Sequence, residues 1–231
     1  LPMHDAFKVW DIRGESLESV EARIHDGVPP EGLLDRAAGM AERVRRIPTW
    51  LALTPQTSVV EVGPGVGYIM QAMVNRCGFE RITGLDVAPA MTAQARARLE
   101  RDGLSSECFR FEVYDGVHFP WKDGAIELFY SVAAIQHIPK PYAYNVLLEM
   151  DRCLAPGGTA VVQLLSWDIL AREPGSFAEE IRNQIEGKTV HWHHFYERVE
   201  LESIARFALQ AAEYRIYQED VSIWIAWRKR A

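Results

Sequence analysis

An acid followed by glycines at alternate positions carries the first chemical signal: Glu61-Val62-Gly63-Pro64-Gly65-Val66-Gly67, placed where an apolar, β-branched run ends. Glycine lacks a Cβ, so it accepts φ > 0 and lets a ligand lie directly on the backbone. A helix starting behind such a loop offers N–H groups that have no partner within the helix. The loop therefore suits a cofactor. A dinucleotide fingerprint reads GxGxxG. Here the third glycine comes one residue early, which argues against a pyrophosphate, and no Lys-Ser/Thr pair follows, which excludes a P-loop. Asp86 ends a second apolar run, where an acid can accept hydrogen bonds from both hydroxyls of a ribose. Asp115-Gly116 closes a third stretch, an alternating one, and Asp115 is able to bond an adenine amino group. These residues ask for a nucleoside without a pyrophosphate.

A second group of residues suits acid–base work. His137 follows a fourth apolar run, and His191, His193 and His194 lie in the aromatic stretch that ends at Tyr196. A hydroxyl nucleophile benefits from an imidazole base by roughly 10²–10⁴-fold. The catalytic candidates are His137, His191 and His194. Histidines at alternate positions could bind a metal, but no acidic or cysteine ligand adjoins them, so no metal site is expected. Trp10, Trp167, Trp192, His193 and Tyr196 are the candidate substrate contacts, an aromatic lid able to exclude water and grip a ring or a sugar face.

Alternating elements must position these groups. Thr57–Val62, Arg81–Asp86, Cys108–Val113, Ile126–Val132 and Thr159–Leu165 read as strands. Between them, helices are expected over Ile69–Arg76, from Pro89 with Met91, Ala95 and Leu99 inward, and from Pro141 with Val146, Leu147, Met150, Cys153 and Leu154 inward. Gly78 is placed as a helix C-cap, and Pro156-Gly157-Gly158 as a turn. Strand–helix repetition implies a parallel sheet with right-handed crossovers. Glu213–Gln218 and Val221–Trp227 are too close for a crossover and must be antiparallel. Ahead of the first strand, Trp10, Leu17, Val20 and Ile24 mark a helix face. A second amphipathic helix, from Leu33 toward Leu51, is kinked or broken at Pro48. The expected division is an N-terminal helical cap with lead-in helix over 1–54 and a main domain over 55–231, with a substrate-side insertion at 166–197.

At 231 residues, 48% hydrophobic and 25% charged, the chain can bury a large core. Its net charge of −7 argues against a nucleic-acid partner. Cys77, Cys108 and Cys153 are scattered and without CxxC spacing; buried thiols in a reducing cytoplasm are expected. No apolar run has the length of a membrane span, and the N-terminal residues show no signal-peptide pattern.

In order, Val59-Val60-Glu61-Val62-Gly63-Pro64-Gly65-Val66-Gly67, Gly84-Leu85-Asp86, Tyr114-Asp115-Gly116, Phe129-Tyr130-Ser131-Val132 with Gln136-His137-Ile138-Pro139, and Leu154-Ala155-Pro156-Gly157-Gly158 resemble the motifs of class I S-adenosylmethionine-dependent methyltransferases, small-molecule branch. The resemblance implies an α/β, Rossmann-like three-layer sandwich with a mostly parallel seven-stranded sheet and an antiparallel last strand. It implies S-adenosyl-L-methionine as cofactor and S-adenosyl-L-homocysteine as product. Glu61, Gly63, Gly65 and Gly67 would then hold the methionine part and Asp86 the ribose. Val87 and Met91 would flank the adenine, Asp115 and Gly116 would bond it, and Ser131 would offer its backbone to the amino group. Tyr68 and His137 complete the implied cofactor contacts. Gln-His-Ile-Pro resembles members acting on sugars and natural-product hydroxyls. The expectation is methylation of a small-molecule hydroxyl by a cytoplasmic monomer or homodimer, with methylation of a small amine or a non-catalytic cofactor-binding scaffold as alternatives. A dinucleotide oxidoreductase is a distant third.

Overall fold

Strands buried on both faces and helices with one apolar stripe leave little choice of architecture: the helices must cover the sheet on both sides. The computed structural model describes residues 10, 12–24, 30–50, 52–168, 175–186 and 193–231. Its helices are α1 (Leu17–Ile24), α2 (Pro30–Arg46), α3 (Tyr68–Cys77), α4 (Pro89–Arg101), α5 (Lys140–Cys153), α6 (Ser176–Ile185) and α7 (Arg198–Phe207). Its strands are β1 (Val59–Val62), β2 (Ile82–Asp86), β3 (Phe109–Val113), β4 (Ile126–Ser131), β5 (Leu154–Ser166), β6 (Phe195–Tyr196), β7 (Ala211–Glu219) and β8 (Ser222–Lys229).

The strand order is β3-β2-β1-β4-β5-β8-β7, with the short β6 pairing to β5 off this path. Strands β1 to β5 run parallel, and β8 is antiparallel to both β5 and β7. This is the expected seven-stranded path, with β6 as an unforeseen addition. Side-chain alternation along each strand splits the core in two. Val60, Val62, Phe129 and Val162 face α5 and α7. Val59, Leu128, Tyr130 and Val161 face α2, α3 and α4, together with Ile12 and Val20 of the N-terminal segment.

One local expectation is corrected. Pro156-Gly157-Gly158 does not precede β5 as a turn but bulges within it: β4 advances from Ile126 to Leu128 while its partner advances from Leu154 to Thr159. Gly157 takes φ 77° to make this possible. The second amphipathic helix breaks at Pro48 as expected: it ends at Arg46, two residues before the proline, because proline disfavours the helical conformation in the residue preceding it. Among the described residues no helix is long and apolar enough to cross a membrane. All three cysteines are free, Cys153 buried and the other two half-buried.

Candidate active site

The sheet order reverses between β1 and β4: β1 leads outward to β2 and β3, and β4 to β5. Such a switch opens a crevice at the carboxyl ends of the two central strands. The glycine loop between β1 and α3 lies there. Gly63, Gly65 and Gly67 have φ of 70°, 53° and 86°, values that L side chains rarely adopt. At Gly63 space forbids a side chain as well, since a Cβ would lie 2.4 Å from the Ala134 Cβ. The glycine loop and the loop after β4 are thus in contact. Ser131 joins them below, its buried hydroxyl donating to the Val62 carbonyl at 2.8 Å.

Glu61 lies beneath this loop, 1% exposed. It accepts from the Tyr130 hydroxyl at 2.9 Å and from the Met70 N–H in the first turn of α3. Burial pushes its carboxyl up to about 8, the two donors offsetting only part of the cost. Asp86 ends β2, also buried, and accepts from the backbone N–H groups of Ala88 and Val87. Burial raises it to about 6 against those two bonds. Met91 and Val87 are buried beside it on the way into α4.

Asp115 behaves differently. Burial alone would raise it, but the N–H and ring of His118 and the N–H of Val117 pull it down to about 2. Its carboxylate first organises its own turn, with bonds of 2.7 and 2.8 Å to the two amides. Gly116 follows at φ 91°.

The acid–base candidates differ in what they meet. Residues 195 and 196 pair with Leu165 and Ser166 in β6, and His193 and His194 lead into that strand. His193 lies 4.8 Å, ring to ring, from His137, whose other side meets Trp10 edge-on at 5.5 Å. The His194 N–H donates to the Gln136 carbonyl at 2.8 Å, and the charge of Lys140 acts on its ring. Lys140 Nζ lies 4.7 Å over the Tyr196 ring and 2.7 Å from Glu200, which also accepts from the Tyr144 hydroxyl. Burial, then the charges of Lys140 and His193, hold His194 below the usual imidazole range. Trp167 stacks against Phe195 at 5.3 Å. His191 and Trp192 lie outside the described residues.

Two residues that motif reading passes over hold the site. Arg98 of α4, fully buried, donates from Nε to the Val66 carbonyl at 2.6 Å and stacks 3.9 Å over the Tyr68 ring. Tyr68 in turn bonds Glu21 of α1 at 3.0 Å. Gln163 of β5 accepts from the Ala133 N–H at 2.7 Å. Each was visible as a polar residue on an otherwise apolar stripe, Arg98 three positions after Ala95 and Gln163 inside Val161–Leu165.

Residues 59–158 match the family model described as methyltransferase domain. The chain carries a methyltransferase domain over residues 59–158. It is 29% identical over 49% of its length to a ubiquinone/menaquinone biosynthesis C-methyltransferase of Ruegeria sp., covering 44% of that protein. It is 32% identical over 53% of its length to a trans-aconitate 2-methyltransferase of Variovorax paradoxus, covering 45%. The chain thus spans less than half of either relative. Its fold is shared with Haemonchus contortus phosphoethanolamine N-methyltransferase 2, solved with phosphomonomethylethanolamine and S-adenosylhomocysteine, at a TM-score of 0.70 and 13% identity, over 100% of this chain and 62% of that one. In this methyltransferase domain the residues present fit the family's cofactor. The loop is bare of side chains where an amino acid would lie, and a buried carboxylate ends the neighbouring strand, where a ribose would present two hydroxyls.

Proposed function

We propose that this protein is a methyltransferase that alkylates a hydroxyl of a small, ring-bearing molecule, with His137 as general base. Under this reading Gly63, Gly65 and Gly67 hold the methionine part of the cofactor, Ser131 contributes its backbone, and Glu61 stiffens the loop from below. Asp86 accepts from the ribose hydroxyls. Val87 and Met91 flank the adenine, and Asp115 and Gly116 meet its edge. When bound, S-adenosylmethionine supplies a methyl group activated by its positive sulfonium.

The observation that carries the reading is the position of His137. It stands on the 3₁₀ turn Ile135–His137 directly after β4, between Trp10 and His193, and its turn begins at the loop that touches Gly63. An imidazole there would take up the acceptor's proton while the methyl carbon exchanges its bond to sulfur for one to oxygen and the thioether leaves, and His193 stands beside the imidazolium so formed. The aromatic surfaces of Trp10, His193, Phe195 and Trp167 support a flat acceptor over an open polar one. Two curated relatives with ring-bearing names, a tocopherol O-methyltransferase of Arabidopsis thaliana among them, are compatible with this. The net charge of −7 supports a partnership with neither nucleic acid nor an anionic membrane surface.

Turnover of a phenol and polyol acceptor panel, read as S-adenosylhomocysteine release, tests the proposal. His137→Ala is expected to lower kcat by about 10²–10⁴-fold with S-adenosylhomocysteine affinity within a few-fold of the parent. Full turnover in that variant, or turnover with amines alone, would overturn the hydroxyl reading.

A further inference from the structure

We infer that Gln163 is a positioning residue that sets both halves of the site through one strained backbone position, Ala133. This rests on the cofactor reading above. Ala133 has φ 55°. Apart from glycines, only Asp220 shares a positive φ among the described residues, and Asp220 occupies the tight turn between β7 and β8. Ala133 is in no such hairpin. Its side chain is exposed, so packing does not force it into this conformation. What holds it is the 2.7 Å hydrogen bond from its N–H to Gln163 Oε1.

The Gln163 amide has no freedom to turn over. Its Nε2 donates to the Leu164 carbonyl and to Ser222 Oγ, both at 3.0 Å. With Nε2 engaged by Leu164 of β5 and Ser222 of β8, Oε1 must face Ala133. The side chain is 3% exposed, so water cannot substitute for it.

The consequence runs in two directions from Ala133. The next residue, Ala134, is the one whose Cβ abuts Gly63 of the glycine loop. The Ala134 carbonyl also accepts from the His137 N–H at 3.1 Å, opening the turn that carries the base. One buried amide in β5 therefore fixes the distance between the cofactor loop and His137. If Ala133 relaxes to an ordinary φ, Ala134 leaves Gly63 and the 3₁₀ turn moves with it.

The test pairs Gln163→Met, which removes the acceptor at similar length, with Ala133→Gly, since glycine takes a positive φ unaided. Gln163→Met is expected to weaken S-adenosylhomocysteine binding about tenfold, the effect of one buried amide left unpaired. It should also speed hydrogen exchange of the Ala133 amide. The double variant Gln163→Met/Ala133→Gly is expected to recover affinity to within about threefold of the parent, which a general loss of stability would not allow. Ala133→Val, at an exposed position, should weaken binding as Gln163→Met does, and it answers the question if Gln163→Met does not fold. Parental affinity in Gln163→Met or in Ala133→Val overturns the inference, as does a double variant no better than the single. Absence of binding in the parent protein would instead sink the cofactor reading. In that case the Ala133 exchange rate decides alone: unchanged exchange in the folded Gln163→Met or Ala133→Val overturns the positioning role.

Discussion

Arg98 Nε lies 2.6 Å from the carbonyl oxygen of Val66, inside the glycine loop, with the guanidinium wholly buried. Its Nη1 reaches Gln71 Oε1 at 3.0 Å and Asp102 at 2.8 Å. An arginine is a costly choice for an interior position. What it supplies is a rigid fork that meets a loop carbonyl, a side-chain amide and a carboxylate at once. Removing it leaves the Val66 carbonyl and the Gln71 amide without that partner. Arg98→Met is expected to cost about 3 kcal/mol in urea unfolding. Arg98→Lys should recover little of that, because an ammonium cannot span the three acceptors. Asp102→Asn should cost under about 1 kcal/mol, since the Asp102 side chain is 25% exposed.

Glu61 makes stability depend on pH in an unusual direction. Its carboxyl is raised from 4.5 to about 8 in the folded protein, so the folded state binds the proton more tightly than the unfolded chain does. Stability is then fully present below about 4.5 and is lost as pH rises toward about 8. Asp86 acts in the same sense, but only up to about 6. Between pH 6 and 8 Glu61 acts without it, contributing a loss of up to about 1.4 kcal/mol per pH unit. Glu61→Gln keeps an acceptor for Tyr130 and does not titrate. Denaturant unfolding at pH 6 and pH 8 should show the parent losing stability across this interval and the variant losing much less. Equal slopes would show that Glu61 is ionised throughout.

Much of this was legible before any coordinates. The glycine loop and Asp86 end short β-branched or apolar stretches and Asp115 an alternating one, and local pattern is enough to place strand ends. The bonds made by Asp115 were not legible, because an Asx turn back to Val117 and His118 competes with any ligand for the same oxygens. Nor was the division of the histidines. His193 and His194 are neighbours in sequence, yet the His193 ring meets His137 while the His194 N–H donates to the Gln136 carbonyl. Both are tertiary contacts with no local signal. The bulge at Gly157-Gly158 was missed for the opposite reason: its turn signal was correct, but strand pairing resumed on both sides of it.

The three glycines of the loop should not tolerate alanine equally. Gly63→Ala meets the Ala134 Cβ at 2.4 Å, close to backbone on both sides, and carries the strain of φ 70° besides. Gly67→Ala has φ 86° but meets only the methyl end of Leu99 at 3.2 Å, which can move. Gly14, at φ 85° with nothing nearby, reports the strain by itself. Expected losses in unfolding free energy are about 1 kcal/mol for Gly14→Ala, somewhat more for Gly67→Ala, and above about 3 kcal/mol for Gly63→Ala. S-adenosylhomocysteine titration should follow the same order for the two loop variants. A Gly63→Ala protein as stable as Gly14→Ala would mean that the loops do not touch in solution.

The split between His193 and His194 separates two roles that sequence alone leaves merged. His193 shares the ring contact with His137. Its loss, in His193→Ala, should lower kcat by a smaller factor than His137→Ala, roughly tenfold, and shift the base's pH profile. The charge of Lys140 acts on the His194 ring, and its Nε2 has no hydrogen-bond partner. A neutral imidazole in that position fills space and carries its backbone bond to the Gln136 carbonyl at 2.8 Å, a bond that any residue but proline can make. His194→Leu should therefore keep kcat within about threefold and hold or raise unfolding stability, since it removes a buried polar atom left unpaired. A loss of kcat in His194→Leu as deep as in His137→Ala, at unchanged stability, would move the base to His194.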